Sequence, residues 1–442
     1  MHRSSLARRS ILKMSSLRVN LGMNVSHGTS STNAHCEVCG GSELMVVLPL
    51  APTPLEDEFA REIRNQPLYP VDLTLCKSCG YLHLPYRVSP SESYTDYLYE
   101  STVTAGLTSH YDAYADSIVR EFALGKESLV VDLGSNDGSM LRSFRRHGLR
   151  VLGVEPARRQ ADAANRESLQ TICNFFTDSV LADIITLYGS ASVITANYMF
   201  ANVDALLPFT KRVAKLLSPN GVFVVQTGYH PEQFRINMFD YVYHEHFSYF
   251  SVEVLQEVFS RSGLVLVDVK STTPKGGSIR AVATKAVDGL RVQDSVNSFI
   301  ATERRIGITT EAYFNSLKVR LDVENAKLLA ELRSLRAQGH RIAGFGASHS
   351  TTTLIYNFDL GCFLDFIVDD NPLKHGTYSP GKHIPVFGVE ELRVQRIKYV
   401  VLLAWQHFDV IVARHSDILN YGVTFLRPLP TFSASTASGV TP

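Results

Sequence analysis

The sequence lacks net charge, long apolar runs and any abundance of cysteine. Its 442 residues carry 43 Lys+Arg against 43 Asp+Glu, so it has no basic excess of the kind that meets nucleic-acid phosphates. No stretch approaches the roughly 18 uninterrupted apolar residues of a membrane-spanning helix. No secretory apolar core precedes a small-residue cleavage site, which argues against an oxidising destination. The first 36 residues also lack Asp and Glu, while Arg3, Arg8, Arg9, Lys13 and Arg18 sit among serines. That composition suits an organelle transit peptide or a disordered extension, with Met14 and Met23 as downstream starts. The expectation is a cytoplasmic protein without nucleic-acid or membrane partners, with organelle targeting left open by the N-terminus. What is present is an ordinary globular composition, 45% hydrophobic, in a chain long enough for two or three domains.

Four of the six cysteines are not scattered. Cys36-Glu-Val-Cys39-Gly and Cys76-Lys-Ser-Cys79-Gly are two like knuckles, each presenting two thiolates on one tight turn. Two such knuckles complete a tetrahedral four-sulfur site suited to structural zinc. A closed site leaves no open coordination position, so the expected role is folding and not catalysis. The strand-like runs Leu44–Leu50 and Tyr69–Leu75 lie between them, which predicts a hairpin for each knuckle. Cys173 and Cys362 stand alone and read as core residues.

The middle of the chain carries a nucleotide cradle. The β-rich run Ser128–Val131 leads into Asp132-Leu-Gly134-Ser-Asn136-Asp137-Gly138, and a helical pattern (Met140, Leu141, Phe144) follows. Glycines there allow close backbone approach, and the helix N-terminus faces the ligand. A second strand, Arg150–Val154, ends in Glu155, where a carboxylate can accept both ribose hydroxyls. Ser192–Ala196 reads as a fourth strand and Val222–Gln226 as a late one, after the turn Leu217-Ser-Pro-Asn-Gly221. Glycine spacing alone does not separate a nicotinamide cofactor from S-adenosylmethionine. The wording DLGSNDG is similar to motif I of class I methyltransferases.

After the late strand comes the densest titratable cluster, Phe239-Asp240-Tyr241-Val242-Tyr243-His244-Glu245-His246-Phe247-Ser248-Tyr249. From spacing alone its histidines are metal ligands, a solvated loop or general acid–base groups. Metal is disfavoured, because two histidines at i, i+2 need further ligands that the sequence does not offer. Histidine beside a carboxylate and phenols is a sensible proton-transfer set.

The paired knuckles, DLGSNDG, YHEHFSYFS, Gly276-Gly277-Ser278-Ile279-Arg280, Gly344-Phe345-Gly346-Ala347 and Val368-Asp369-Asp370-Asn371-Pro372 occur in an order that resembles the deoxysugar C-methyltransferases, from about Cys36 to about Phe387. The resemblance implies an α/β protein. A class I methyltransferase Rossmann-like domain (99–270) would lie between a small N-terminal zinc-binding lobe (34–98) and a C-terminal Rossmann-like α/β domain (271–428). An extension (1–33) and a flexible tail (429–442) would flank them.

The resemblance further implies S-adenosylmethionine as cofactor, zinc as structural metal, and a nucleotide-linked 4-keto sugar as substrate of a monomer or homodimer. By the same resemblance His246 is the base that takes the proton beside the ketone, with Tyr243, Glu245 and Tyr97 as partners. Asn202 stands where the family has histidine and could donate a hydrogen bond but not titrate. Asp132, Gly134, Asn136, Asp137, Gly138 and Glu155 are the cofactor candidates. Lys275 and Arg280 flank the glycine pair as substrate candidates.

The last third reads independently as a second α/β unit. Glu311–Ala337 has helical spacing of Phe314, Leu317, Leu321, Leu328, Leu332 and Leu335. The turn Gly344–Thr353, rich in hydroxyls, puts Ser348 and His349 where phosphate could bind or where hydroxyls merely cap a helix. Asp370 lies about 25 residues beyond that turn, at the spacing of a ribose contact. Lys382 and His383 lie in a Pro/Gly loop that resembles the family's nucleotide side. The competing readings are an O- or N-methyltransferase of the same fold, and a catalytically silent sugar-nucleotide binder.

Overall fold

The computed structural model describes residues 31–32, 34–88, 106–287, 289–436 and 439–441. Tyr97, and most of the extension expected over 1–33, lie outside the described residues. Ser31–Thr32, within that extension, pairs with Tyr86–Arg87.

The N-terminal lobe is a small antiparallel meander of β1 (Leu44–Leu48), β2 (Leu73–Cys76) and β3 (Leu82–His83). Each knuckle is closed by a glycine in the left-handed region, Gly40 at φ 78° and Gly80 at φ 75°, which bonds back to Cys36 and Cys76. Instead of two separate hairpins, one shared register does the work. Leu44 pairs with Cys76, which sets the first knuckle beside the second. All four Sγ atoms lie within 4.8 Å of one another, with Cys36–Cys79 at 3.6 Å and Cys39–Cys76 at 3.5 Å. Bonds of about 2.3 Å to a tetrahedral zinc put sulfurs roughly 3.8 Å apart, so the four thiols fit that ion. Of the other two cysteines, both expected in the core, Cys173 is only partly buried and Cys362 is exposed. Cys362 ends a single 3-10 turn in which Leu360 takes the inward position.

The central sheet is built from β4 (Leu129–Leu133), β5 (Arg150–Val154), β6 (Thr171–Ile172), β7 (Ala191–Asn197), β8 (Leu217–Gly228), β10 (Leu264–Thr272) and β11 (Ser278–Lys285), while β9 (Ser248–Tyr249) extends the N-terminal meander by pairing with β3. The sheet order is β6-β5-β4-β7-β8-β11-β10. Five strands run parallel and β11 runs antiparallel to both neighbours. Buried apolar side chains of helices α1 (Leu107–Glu121) and α2 (Ser139–Arg145), among them Tyr114, Met140 and Phe144, cover one face. This sheet reaches Lys285, past the boundary expected at 270, because a seventh strand must fold back between β8 and β10.

A 27-residue helix, α3 (Glu311–Ala337), is capped by Thr310 Oγ1 accepting from the Tyr313 amide and buries the six apolar residues that its spacing predicts. It leads into a second sheet of β12 (Ile342–Phe345), β13 (Phe366–Val368), β14 (Val386–Phe387), β15 (Tyr399–Leu402), β16 (Thr424–Arg427), β17 (Ser433–Thr436) and β18 (Gly439–Thr441), in the order β14-β13-β12-β15-β16-β17-β18. The tail expected to be flexible supplies β17 and β18, which add antiparallel to the edge. Strand order reverses around β4 in one sheet and around β12 in the other. Ligands of open parallel sheets collect at such points, beyond the carboxyl ends of the strands. Among the described residues no helix is long and apolar enough to cross a membrane.

The lobe is not an appendage. Cys36, Val38, Cys76 and Tyr81 belong to one hydrophobic core with Phe200, Phe250 and Phe259 of the central domain. Loss of the metal therefore exposes surface shared by two domains. Purified protein is expected to hold one zinc per chain by atomic absorption. Cys76→Ser should abolish that zinc and lower the melting temperature by about 10 °C, whereas Cys362→Ser should change neither.

Candidate active site

Two cavities meet between the domains. The first, about 460 Å³, opens at the carboxyl ends of β4, β5 and β7. Asp132, Gly134, Asn136 and Glu155 line it, as expected, together with Tyr111 and the run Asn174–Thr177. Glu155 Oε2 accepts from the Asn136 amide and Oε1 from the Ala157 amide, both at 2.8 Å. The strand-tip carboxylate thus fixes the glycine turn while its remaining lone pairs stay available to a ligand. Asp132 Oδ1 accepts from Thr195 Oγ1 at 2.6 Å and from Asn197 Nδ2 at 3.3 Å. Burial pushes its carboxyl up to about 7 despite these donors. Asp137 and Gly138 do not line the cavity. Asp137 accepts from the Ser139 amide and hydroxyl, and Gly138, at φ 77°, heads α2. They shape the cradle from behind.

The second cavity, about 780 Å³, lies between the central and C-terminal sheets. Asn202, Tyr243, Glu245, His246, Lys275, Ser348 and His349 all line it. His246 is oriented at both nitrogens: Nδ1 lies 3.2 Å from the Tyr241 carbonyl and Nε2 lies 3.1 Å from Tyr243 Oη. A carbonyl only accepts, so Nδ1 carries the proton and Nε2 receives the Tyr243 hydroxyl. Burial and the nearby Lys275 charge bring the imidazole down to about 3, which leaves Nε2 free of its own proton at neutral pH.

His244 points the other way. Its Nδ1 lies 2.8 Å from Glu56 Oε1 inside the N-terminal lobe, both side chains being 1% exposed. The two histidines therefore face different partners because the chain turns between them, the His246 amide donating to the Tyr243 carbonyl at 2.9 Å.

Glu245 does not reach His246. It pairs with His349 Nε2 at 3.1 Å, across from the C-terminal sheet. Asp57 stands 3.8 Å from the same nitrogen and bonds Lys374 at 2.5 Å. Burial alone would lower His349, but Asp57 and Glu245 outweigh it and hold the imidazole up at about 9. Two cations, His349 and Lys374, thus face this end of the cavity beside the N-terminus of α4 (His349–Asn357). Ser348 takes part in a capping box there with Thr351, so hydroxyls that could meet phosphate do cap a helix.

Several expected positions fall elsewhere. Arg280 lies on the Tyr114 ring at 3.6 Å and donates to Gln226 Oε1, lining neither cavity. β11 runs through the sheet interior and turns this side chain toward α1. Asp370 is bound outward by Arg414 and His415. Its neighbour Asp369 takes the strand-tip role: Oδ2 accepts from the Ala347 amide at 2.6 Å, as Glu155 does from Asn136. One residue of alternation decides which of two adjacent aspartates faces the cavity. Lys382 lies over the Tyr356 ring, and His383 Nε2 contacts the Arg64 carbonyl at 2.9 Å. Their loop docks the N-terminal lobe, as Gly381 donating to Gln66 Oε1 at 2.7 Å shows.

The residues missed by sequence reasoning are Tyr198, His110, Asp57 and Lys374. The last two lie 317 positions apart, and no local pattern announces such a pair.

The chain matches three family models in succession: a zinc-binding domain over residues 36–94, a methyltransferase domain over 107–269 and a C-methyltransferase C-terminal domain over 273–430. It is 32% identical over 399 residues to C-methyltransferase NovU of Streptomyces niveus, covering 89% of this chain and 95% of that protein. Geranyl diphosphate 2-C-methyltransferase of Streptomyces coelicolor is 26% identical over 195 residues, 41% of this chain and 65% of that protein. Magnesium protoporphyrin IX methyltransferase from Synechocystis PCC 6803 aligns with 44% of this chain and 89% of its own, at 14% identity and a TM-score of 0.31. With a cofactor cavity at the methyltransferase switch point, a four-cysteine zinc site and this end-to-end match, the chain belongs to the S-adenosylmethionine-dependent C-methyltransferases.

Proposed function

We propose that this enzyme methylates a ring carbon of a nucleotide-linked keto sugar, with His246 as the base. The observation that carries this reading is the placement of His246. An oriented imidazole, unprotonated at Nε2, lines a large cavity whose other wall holds His349 and Lys374. Methylation of carbon needs a carbanion, and a base beside a ketone supplies it. His349 and Lys374, each beside a carboxylate (Glu245 and Asp57), can offer charged donors to a ligand that is anionic away from its reacting end, as a nucleoside diphosphate is. A volume near 780 Å³ lies within the usual range for small-molecule sites.

Asp132, Asn136 and Glu155 would hold S-adenosylmethionine, which supplies an electrophilic methyl group when bound. This chain's own residues do the rest. His246 Nε2 takes the proton from the carbon beside the ketone. Tyr243, already 3.1 Å from that nitrogen, turns aside to admit the substrate and afterwards returns to the imidazolium as a proton path. The domains enclose the reacting carbon and exclude water that would quench the carbanion. Asn202 would contribute a neutral hydrogen bond where related enzymes place a histidine.

In D2O, wild-type enzyme should exchange the hydrogen beside the ketone of a nucleoside-diphosphate 4-keto-6-deoxyhexose, and His246→Ala should lower that exchange at least about 100-fold. Methyl transfer to a substrate with no such hydrogen would exclude the mechanism. Glu155→Gln should weaken S-adenosylmethionine binding by about 10- to 100-fold in calorimetry, the worth of a hydrogen bond to a charged acceptor. The His349 imidazole is raised above its usual 6.5 to about 9, so its charge is present at neutral pH and lost as pH rises through 9. Substrate affinity should accordingly be flat from pH 6.5 to 8 and fall about tenfold above 9, and His349→Gln should remove that step.

A further inference from the structure

Only three residues, Tyr198, Asn202 and Lys275, line both cavities among the described residues. They mark the passage through which a methyl group must move from one ligand to the other. Two of the three have backbones that side chains rarely tolerate: Tyr198 at φ 56° and Lys275 at φ 56°, both in the left-handed region. Such conformations are strained and persist where the surroundings impose them. Here the two strained residues hold each other, with Lys275 Nζ 4.6 Å from the centre of the Tyr198 ring.

The support behind them is continuous. Gln226 Nε2 donates to Tyr198 Oη at 3.0 Å, and the Tyr198 amide donates to the Gln226 carbonyl at 2.8 Å. Arg280 and His110 meet at Gln226 Oε1. On the other side Gln233 Nε2 donates to the Lys275 carbonyl at 3.2 Å. Gly276 and Gly277 follow, and a Cβ at either would come within 2.5 Å of Met238 or Glu232. The Lys275 turn is thus pinned from both sides. Lys275 and His246 line the same two cavities, the large one and a small one behind it, so the ammonium and the proposed base open onto one space.

We propose that Lys275 is the cation that holds the ketone oxygen as it becomes an enolate. This rests on the keto-sugar reading above. The step balances within the site. As the C–H proton passes to His246 Nε2, its electron pair forms the C=C bond, and the carbonyl π pair moves onto the oxygen facing the Lys275 ammonium. The enolate carbon then attacks the methyl group, the C–S pair leaves with the thioether sulfur, and the carbonyl reforms. Positive charge gained by His246 and negative charge gained by the enolate oxygen arise together, so the Lys275 charge that opposes protonation of free His246 is offset when substrate is bound. Asn202, the third residue at the passage, adds a neutral donor but no charge. A preorganised cation in a partly desolvated site is the kind of group whose removal costs most in such chemistry.

The test is hydrogen exchange beside the ketone in D2O on a panel of nucleoside-diphosphate 4-keto-6-deoxyhexoses, with S-adenosylhomocysteine bound. Lys275→Met should lower the exchange rate by about 100- to 1,000-fold, while substrate affinity measured by calorimetry stays within about tenfold. Lys275→Ala should regain part of the rate on addition of methylammonium, a response that a purely structural role would not give and that does not depend on how well either variant is folded relative to wild type. Exchange by Lys275→Met within threefold of wild type overturns the assignment, as does failure of methylammonium to restore any rate to a Lys275→Ala protein that binds S-adenosylhomocysteine. Wild-type protein that exchanges none of the panel overturns the keto-sugar reading itself.

Discussion

The active site depends on one segment, Phe239–Phe250, being held by three domains at once. Apart from the two-residue strand β9 it has no ladder of its own: Tyr241, Tyr243, His246 and Tyr249 bond one another, and the other residues find partners in all three domains. Asp240 accepts from Trp405 and Gln406 of the C-terminal domain, and the Val242 carbonyl accepts from Thr353 Oγ1 on α4. His244 is bound by Glu56 of the N-terminal lobe and Glu245 by His349. The Phe247 amide donates to the Ala201 carbonyl in the central domain, and the Ser248 hydroxyl meets Tyr81 Oη. His246 sits in the middle of these ties and inherits its position from them. A loop that carried a base without such support would place it too loosely for catalysis.

The buried His244–Glu56 contact is the tie on which the others converge. Glu56 also accepts from Thr53 Oγ1 at 3.1 Å, and its carbonyl accepts from Thr352 Oγ1 at 2.9 Å, so one residue of the lobe joins the segment to α4. Pairs of this kind add little net stability over a hydrophobic replacement, but losing one partner strands the other in a poor dielectric. That asymmetry favours specificity of arrangement. It also gives the zinc a role at a distance. Glu37, between two of the cysteines, bonds Tyr81 Oη and Arg87, and Tyr81 in turn meets Ser248, two residues beyond His246. The metal knuckle is therefore tied to the segment that carries the proposed base.

Much of this was legible in the residues and some was not, for physical reasons that differ case by case. The strand Arg150–Val154 and the helix Glu311–Ala337 appear where their patterning puts them, because both bury an apolar face whose period is local. The four cysteines were legible because metal geometry dictates spacing. Arg280 was not, since an arginine after a glycine pair gives no hint of whether its strand turns it toward ligand or toward Tyr114. Asp369 and Asp370 are separated by a single step of alternation, which spacing counted in tens of residues cannot resolve. Lys382 and His383 hold the N-terminal lobe, a contact between distant segments with no local signature.

The two Rossmann-like sheets show how the same local chemistry is used twice for different ends. In each, a glycine turn follows the strand at the switch point, and an acid at the tip of the adjacent strand accepts an amide of that turn: Glu155 from Asn136, Asp369 from Ala347. Each acid is engaged by backbone and fixes the curvature of its turn, and Glu155 keeps lone pairs that a ligand can use. What distinguishes the sheets is what surrounds the turns. The first faces Asp132, Glu155, Tyr111 and Asn197, with Arg212 and Lys275 as its cations. The second is overlooked by two ion pairs, His349 with Glu245 and Lys374 with Asp57. With zero formal net charge over the chain, selectivity for the anionic substrate proposed above would not come from the field of the whole protein. On the proposed reading it would rest on His349 and Lys374, whose own partners, Glu245 and Asp57, are supplied by the Phe239–Phe250 segment and the lobe, so that both ion pairs and the position of His246 are set by the same packing.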